Sequence, residues 1–208
     1  MNSKNEEGQQ ASDPRIGFFD CHAATWDSNG PKATDTLQRL KKLRDLLGLH
    51  EGENLLEVGC GTGQITAWLG ESVRPGRVTA IDFSEAMLEQ ARKKQIEADF
   101  RCLDVCLDKL GTQVYEVILC FHSFPHFRNQ NAALANMSQA LKPGGRLVVM
   151  HLADRRHINA LHDGVGGAVA GDHLPDQESW LRMLAAAGLD MTRWIEQDDL
   201  FVVQAEPS

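Results

Sequence analysis

The chain is 208 residues long, 42% of them hydrophobic, and carries a formal charge of −8 from 21 basic and 29 acidic residues. Such a length supports one good core and little else, and the acidic balance argues against a surface that reads nucleic-acid phosphates, which draws on clustered Lys and Arg. No run of about 18 apolar residues occurs, the first 14 residues are polar and charged, and the five cysteines are odd in number and scattered, so neither a membrane span, a secretory signal nor a disulfide framework is expected, and a cytoplasmic protein is.

Residues 1–14 read as a disordered tail, leaving 15–208 as a single domain. Phe18 to Asp27 spaces its aromatic groups as an amphipathic helix docked on the fold would, or as a cover that sheds water from a site. Leu37, Leu40, Leu43, Leu46 and Leu47 recur at helical spacing between Thr34 and Gly48 and predict one helix with one apolar stripe. An apolar strand follows at Leu55 to Val58, then a turn with glycines at 59, 61 and 63, then a helix, then a second apolar strand, Val78 to Asp82, that ends on a carboxylate. Ser84 caps the next helix, which carries Met87, Leu88 and Ala91, with Glu85 in its first turn facing the positive end of the dipole. Further strands read at about 98–103, 114–121, 145–151, 189–196 and 199–205, with helices between most of them. The helix before the sixth strand starts at Asp176 and ends at Gly188. Gln197-Asp198-Asp199 is too short for a crossover helix, so the last two strands form an antiparallel hairpin. The alternation predicts an α/β fold: a doubly wound sheet, mostly parallel, with helices on both faces.

The turn after the first strand has a chemistry of its own. Its glycines lack Cβ, so the backbone takes positive φ and a flat ligand can lie against it. Asp82, nineteen residues after Gly63, stands where its two oxygens accept hydrogen bonds from both hydroxyls of a ribose. A dinucleotide site wants G-x-G-x-x-G; here Gln64 holds the third position and the extra glycine falls one residue earlier. Leu55-Leu56-Glu57-Val58-Gly59-Cys60-Gly61-Thr62-Gly63, with the acidic strand end, resembles the first motif of the class I S-adenosylmethionine-dependent methyltransferases, E/D-x-G-x-G-x-G, and within them the small-molecule type 11 or UbiE-like enzymes. Their ligand carries no phosphate. The resemblance runs in order over about residues 16–205 and implies a seven-stranded Rossmann-like sheet, S-adenosylmethionine as cofactor with S-adenosylhomocysteine as product, and direct SN2-type methyl transfer to a small molecule.

The resemblance also implies roles. Gly59, Gly61 and Gly63 form the cofactor turn, and Asp82 takes the ribose. Glu57 helps hold the ligand's amino group, directly or through water; a solvated strand terminus is the plainer reading. Asp104 accepts from the adenine amino group, or merely caps a turn. Phe83 packs on the adenine face or in the core. Cys120 is counted with the cofactor-lining positions, although its apolar strand equally suits a buried thiol. Phe18 to Asp27 resembles the family's aromatic-Asp…Trp-Asp segment, which folds over the cofactor.

The loop after the fourth strand, His122 to Phe127, lies in the family beside the reactive methyl. It has neither the Asp/Asn-Pro-Pro-aromatic signature of amide and adenine-N6 methylation nor a Pro-Cys pair, so nucleic-acid methylation is disfavoured. Histidines crowd the presumed mouth at 122, 126, 151, 157, 162 and 173. His151, ending the fifth strand, and His126 are the first candidates for a general base, against the equal alternative of a locally satisfied ring. No metal is expected, because Pro125 separates His122 from His126 and no thiolate or carboxylate sits at tight ligand spacing. Arg155 and Arg156 beside His151 favour an anionic acceptor, unless they are a solvated pair. The glycine-rich stretch from Gly164 to Pro175 is not hydrophilic, so it is expected to pack as a second cover. A non-catalytic S-adenosylmethionine-binding partner subunit and an NAD-dependent oxidoreductase are the competing functions; acceptor atom and oligomeric state stay open.

Overall fold

A computed structural model describes residues 13–208. The expected tail lies outside them except for Asp13 and Pro14, where Asp13 caps the first helix by accepting from the Arg15 N–H at 3.0 Å. That helix, α1 (Pro14–His22), is followed by the short α2 (Trp26–Asn29). The leucine stripe then forms two helices rather than one, α3 (Ala33–Lys42) and α4 (Arg44–Leu47), because the chain leaves helical geometry at Leu43. Leu40 and Leu47, seven residues apart, stay on one face and are fully buried, so the stripe survives the break. Gly48 ends it in the left-handed conformation.

Seven strands make one sheet: β1 (Leu55–Val58), β2 (Val78–Asp82), β3 (Asp99–Cys102), β4 (Tyr115–Phe121), β5 (Leu141–His151), β6 (Leu189–Gln197) and β7 (Leu200–Pro207). The order is β3-β2-β1-β4-β5-β7-β6, and only β7 runs antiparallel to its neighbours. Between the strands lie α5 (Thr66–Val73), α6 (Glu85–Lys93), α7 (Gln130–Ala140), α8 (Arg155–Val165) and α9 (Gln177–Ala186). The caps are those that the sequence predicts: Ser84 accepts from the Met87 N–H at 3.1 Å and Asp176 from the Ser179 N–H at 2.8 Å.

Strand alternation sorts the apolar residues into two cores. Leu56, Val58, Ile118, Val149 and Val203 face one, with Leu134 and Met137 of α7 and Trp180 of α9; Leu55, Ala80, Leu119, Val148 and Val202 face the other, with Leu40, Leu47 and Leu69. Leu55 pairs with Val78 on one side and Val117 on the other, so the winding reverses at β1 and opens a crevice at the carboxyl ends of β1, β2 and β4. Among the described residues no helix is long and apolar enough to cross a membrane.

Candidate active site

The turn leaving β1 is built by three glycines with different jobs. Gly59, Gly61 and Gly63 have φ of 72°, 55° and 74°. A Cβ at Gly59 would stand 2.4 Å from Ser123 Cβ, and one at Gly63 3.3 Å from Ala91 Cβ, whereas one at Gly61 meets nothing within 4 Å. Gly59 and Gly63 therefore let neighbouring segments close in, and Gly61 faces open space.

Two carboxylates flank this turn. Asp82 accepts from the Gly61 N–H through Oδ2 at 2.8 Å and from the Ser84 N–H through Oδ1 at 2.9 Å, which fixes its orientation at the end of β2. Burial lifts its pKa to about 6. Glu57 is 2% exposed and accepts from the Thr66 hydroxyl at 2.6 Å; burial, with the Asp82 charge beside it, lifts it to about 8. No Lys or Arg among the described residues pairs with either group.

A cavity of about 470 Å³ takes its walls from Glu57, the 59–62 turn, Asp82 and Phe83, and also from Phe121, His122, His126 and His162. That size is ordinary for a small-molecule site, about 300–1,000 Å³. A narrower cavity beside it is bounded by Asp82, Phe83, Leu103, Asp104 and Arg128. There Asp104 accepts from the Cys106 N–H at 2.8 Å and pairs with Arg128, whose Nε lies 3.3 Å from Asp13.

The opening segment lies across the turn as a cover. Phe19 packs against Phe83, Trp26 and His126 with ring centroids 5.6, 5.6 and 5.0 Å apart. Asp27 accepts from the Thr62 hydroxyl at 2.6 Å and Gln64 Nε2 at 2.8 Å, and Lys94 Nζ lies 2.7 Å away. Asp20 accepts from the Ser84 hydroxyl at 2.6 Å. The glycine-rich stretch packs as well: Asp172, 2% exposed, meets Arg15 of α1 at 2.7 Å and His126 Nδ1 at 2.9 Å.

The histidines separate once placed. His122, His126, His151, His157 and His162 all contribute to the cavity wall, and the His162 Nδ1–H donates to the Asp172 carbonyl. His122, in the left-handed conformation at φ 56°, accepts from the Leu152 N–H at 3.2 Å through Nε2. His151 is 1% exposed, both ring nitrogens are shielded and unpartnered, and burial holds its pKa well below the ordinary histidine value. His157 and His173 are exposed, the latter against Asp163 at 2.8 Å.

Two expectations need correction. Cys120 does not line the cavity; its Sγ lies 3.6 Å from Met137 Sδ in the core, because its side of β4 faces α7. Arg155 pairs with Glu196 at 3.2 Å, and among the described residues no Lys or Arg lines the larger cavity, so the arginine pair gives no support to an anionic acceptor. Among the described residues no three His, Cys, Asp or Glu side chains are placed to share a metal ion. Sequence reasoning missed Thr66, Arg15 and Asp172: Arg15 borders the discarded tail, and Asp172 sits in a segment noticed for its glycines rather than its charge.

Buried carboxylates without cationic partners and a glycine facing open space suit a ligand that brings its own positive charge and sugar hydroxyls. Together with the winding reversal at β1, they mark a Rossmann-like fold with a nucleoside-type site at its switch point. Residues 56–149 match the profile of the family described as "Methyltransferase domain". The chain is 27% identical over 204 residues to the ubiquinone/menaquinone biosynthesis C-methyltransferase UbiE of Ruegeria sp. (strain TM1040), covering 84% of this chain and 82% of that one. It spans about half the length of some other curated relatives it matches, 46% and 56% of two of them. Among solved structures, the putative methyltransferase of Haloferax volcanii, in complex with the Trm112 methyltransferase activator, superposes with a TM-score of 0.73 at 15% identity over 91% of this chain and 98% of that one. The DhpI–SAH complex superposes with a TM-score of 0.70 at 18% identity, over 98% and 99%. These likenesses support a class I S-adenosylmethionine-dependent methyltransferase, the class that residues 56–149 resemble, whose cofactor is S-adenosylmethionine and whose product is S-adenosylhomocysteine.

Proposed function

We propose that this protein transfers a methyl group from S-adenosylmethionine to a small-molecule acceptor by direct SN2-type displacement. The observation that carries the reading is one continuous cavity walled both by the cofactor turn with Glu57 and Asp82 and by His126 and His162. When bound, S-adenosylmethionine supplies a methyl carbon already made electrophilic by its sulfonium. The protein's part is to bind, orient and keep water out. Asp82, held by two backbone N–H groups, takes the ribose hydroxyls. In this reading Glu57, on the wall of the large cavity, would hold the amino group, Phe83 would pack on the base, and Asp104, on the wall of the narrower cavity, would take the adenine amino group. Phe19 and Trp26 close the site above. Alignment of acceptor and methyl carbon in such a pocket supplies about 7–11 kcal/mol of barrier reduction.

Calorimetric titration with S-adenosylhomocysteine and with NAD tests the cofactor, and incubation of metabolite extracts with methyl-labelled S-adenosylmethionine tests the reaction. Saturable S-adenosylhomocysteine binding and a labelled small molecule are expected. Binding without any labelled product favours a non-catalytic subunit, and NAD binding alone an oxidoreductase; either result refutes the proposal.

A further inference from the structure

We infer that His126, oriented by Asp172, is a general base for a neutral acceptor with a weakly acidic hydroxyl, and that contacts from the two covers hold this base in place. The inference rests on the methyltransferase reading and names the acceptor class at the same site.

Three segments distant in sequence meet at one carboxylate. Asp172 Oδ2 lies 2.9 Å from His126 Nδ1, and Arg15 of α1 grips the same group through Nε at 3.0 Å and Nη2 at 2.7 Å. The Asp172 side chain is 1% exposed, and its hydrogen bonds with His126 and Arg15 outweigh burial to hold its pKa below the usual carboxylate range. An ionised Asp172 only accepts, so Nδ1–H donates to it, and in the neutral ring Nε2 is the nitrogen free to accept. No group among the described residues takes Nε2, and the ring lines the large cavity. His162 packs 4.7 Å from it and is itself tied to the Asp172 carbonyl, with burial lowering its pKa. The other charged or titratable groups that act on His126 are Asp82, His122 and His151. Phe19, from the first cover, also packs against the ring.

The walls favour a neutral acceptor, and the base suits one that must lose a proton, which we take to be a hydroxyl. Among the described residues no Lys or Arg lines the cavity, and Glu57 and Asp82 do, so a permanently anionic acceptor such as a carboxylate or phosphate finds no fixed cation there, only His126 when it carries the transferred proton. A neutral hydroxyl loses its proton to His126 Nε2, and an oxygen lone pair forms the new O–CH₃ bond. The S–CH₃ bond breaks, its electron pair returns to sulfur, and the imidazolium releases its proton to water. Asp172 and Arg15 are positioning residues in this scheme, since neither touches the acceptor.

The test uses 4-nitrophenol, a single-ring phenol whose anion is coloured, and the full chain saturated with S-adenosylhomocysteine, which carries no sulfonium to attract the anion. Absorbance against pH reports the ionisation of the bound probe. Wild type is expected to bind it saturably and lower its midpoint by about one pH unit, while Asp172→Asn and His126→Gln return it to the free value. An unshifted midpoint, a shift that both variants keep, or no saturable binding overturns the inference. Binding of S-adenosylhomocysteine is measured separately: its loss in wild type overturns the underlying proposal, and intact binding with an unshifted probe overturns only the base.

Discussion

Glu57→Gln separates the cost of a buried charge from the rest of the fold. Glu57 is 2% exposed, has one hydroxyl donor and no cation, and sits beside a second carboxylate, so its pKa stands at about 8 against an ordinary 4.5. Between those values the folded state holds more protons than the unfolded one, and stability falls as pH rises through that window. The gap of about 3.5 corresponds to about 5 kcal/mol once Glu57 is fully ionised. About 3 kcal/mol of this is lost between pH 6 and pH 9. Glutamine keeps an acceptor for Thr66 and cannot ionise, so any penalty from its own amide is the same at every pH. For a chain of this size each kcal/mol moves Tm by about 2–4 °C. Thermal melts of the unliganded protein are therefore expected to show Glu57→Gln gaining about 6–12 °C on wild type as pH rises from 6 to 9. A difference between the two curves that does not change with pH refutes the assignment of an unpaired buried acid at this position. Saturating S-adenosylmethionine is expected to shrink the gain, because the ligand's cation stabilises ionised Glu57.

Asp82→Ala is expected to weaken S-adenosylhomocysteine binding by at least about 1.5 kcal/mol, the loss of hydrogen bonds to a charged group; calorimetry giving wild-type affinity refutes the ribose role. Gly59→Ala drives a Cβ to 2.4 Å from Ser123 at positive φ and should destabilise the fold by at least about 2 kcal/mol. Gly61→Ala meets nothing within 4 Å, so it should fold with a loss of only about 1 kcal/mol and instead reduce S-adenosylhomocysteine affinity about tenfold. Equal effects of the two substitutions on Tm and on affinity contradict the division of labour in the turn. His151→Ala should leave the pH dependence of methyl transfer between pH 6 and 9 unchanged, since both its nitrogens are buried without a partner and burial holds its pKa well below the ordinary histidine value; a lost inflection reinstates it as the base.

What the sequence revealed and what it hid follow from the range over which each signal acts. The glycine turn, the acidic end of β2, the Ser84 cap and the terminal hairpin are encoded within a few residues, where backbone preference and capping decide the outcome locally. Strand alternation fixed which residues face each core, because a one-residue slip would expose every apolar side chain. Cys120 shows the limit: it belongs to the strand that feeds the site, but period-2 alternation turns it toward α7, and only the strand's registration against β1 and β5 decides that. The break at Leu43 was invisible because a stripe at 40 and 47 reads the same through one helix or two. The acid that holds His126 lies 46 residues away, and the arginine that holds the acid another 157. No periodicity links such positions; burial does, since a carboxylate 1% exposed requires partners, and α1 supplies Arg15 while the loop after β4 supplies His126. The same requirement left unmet at Glu57 and Asp82, one carboxylate on each strand beside the turn, points to a ligand that carries the missing charge.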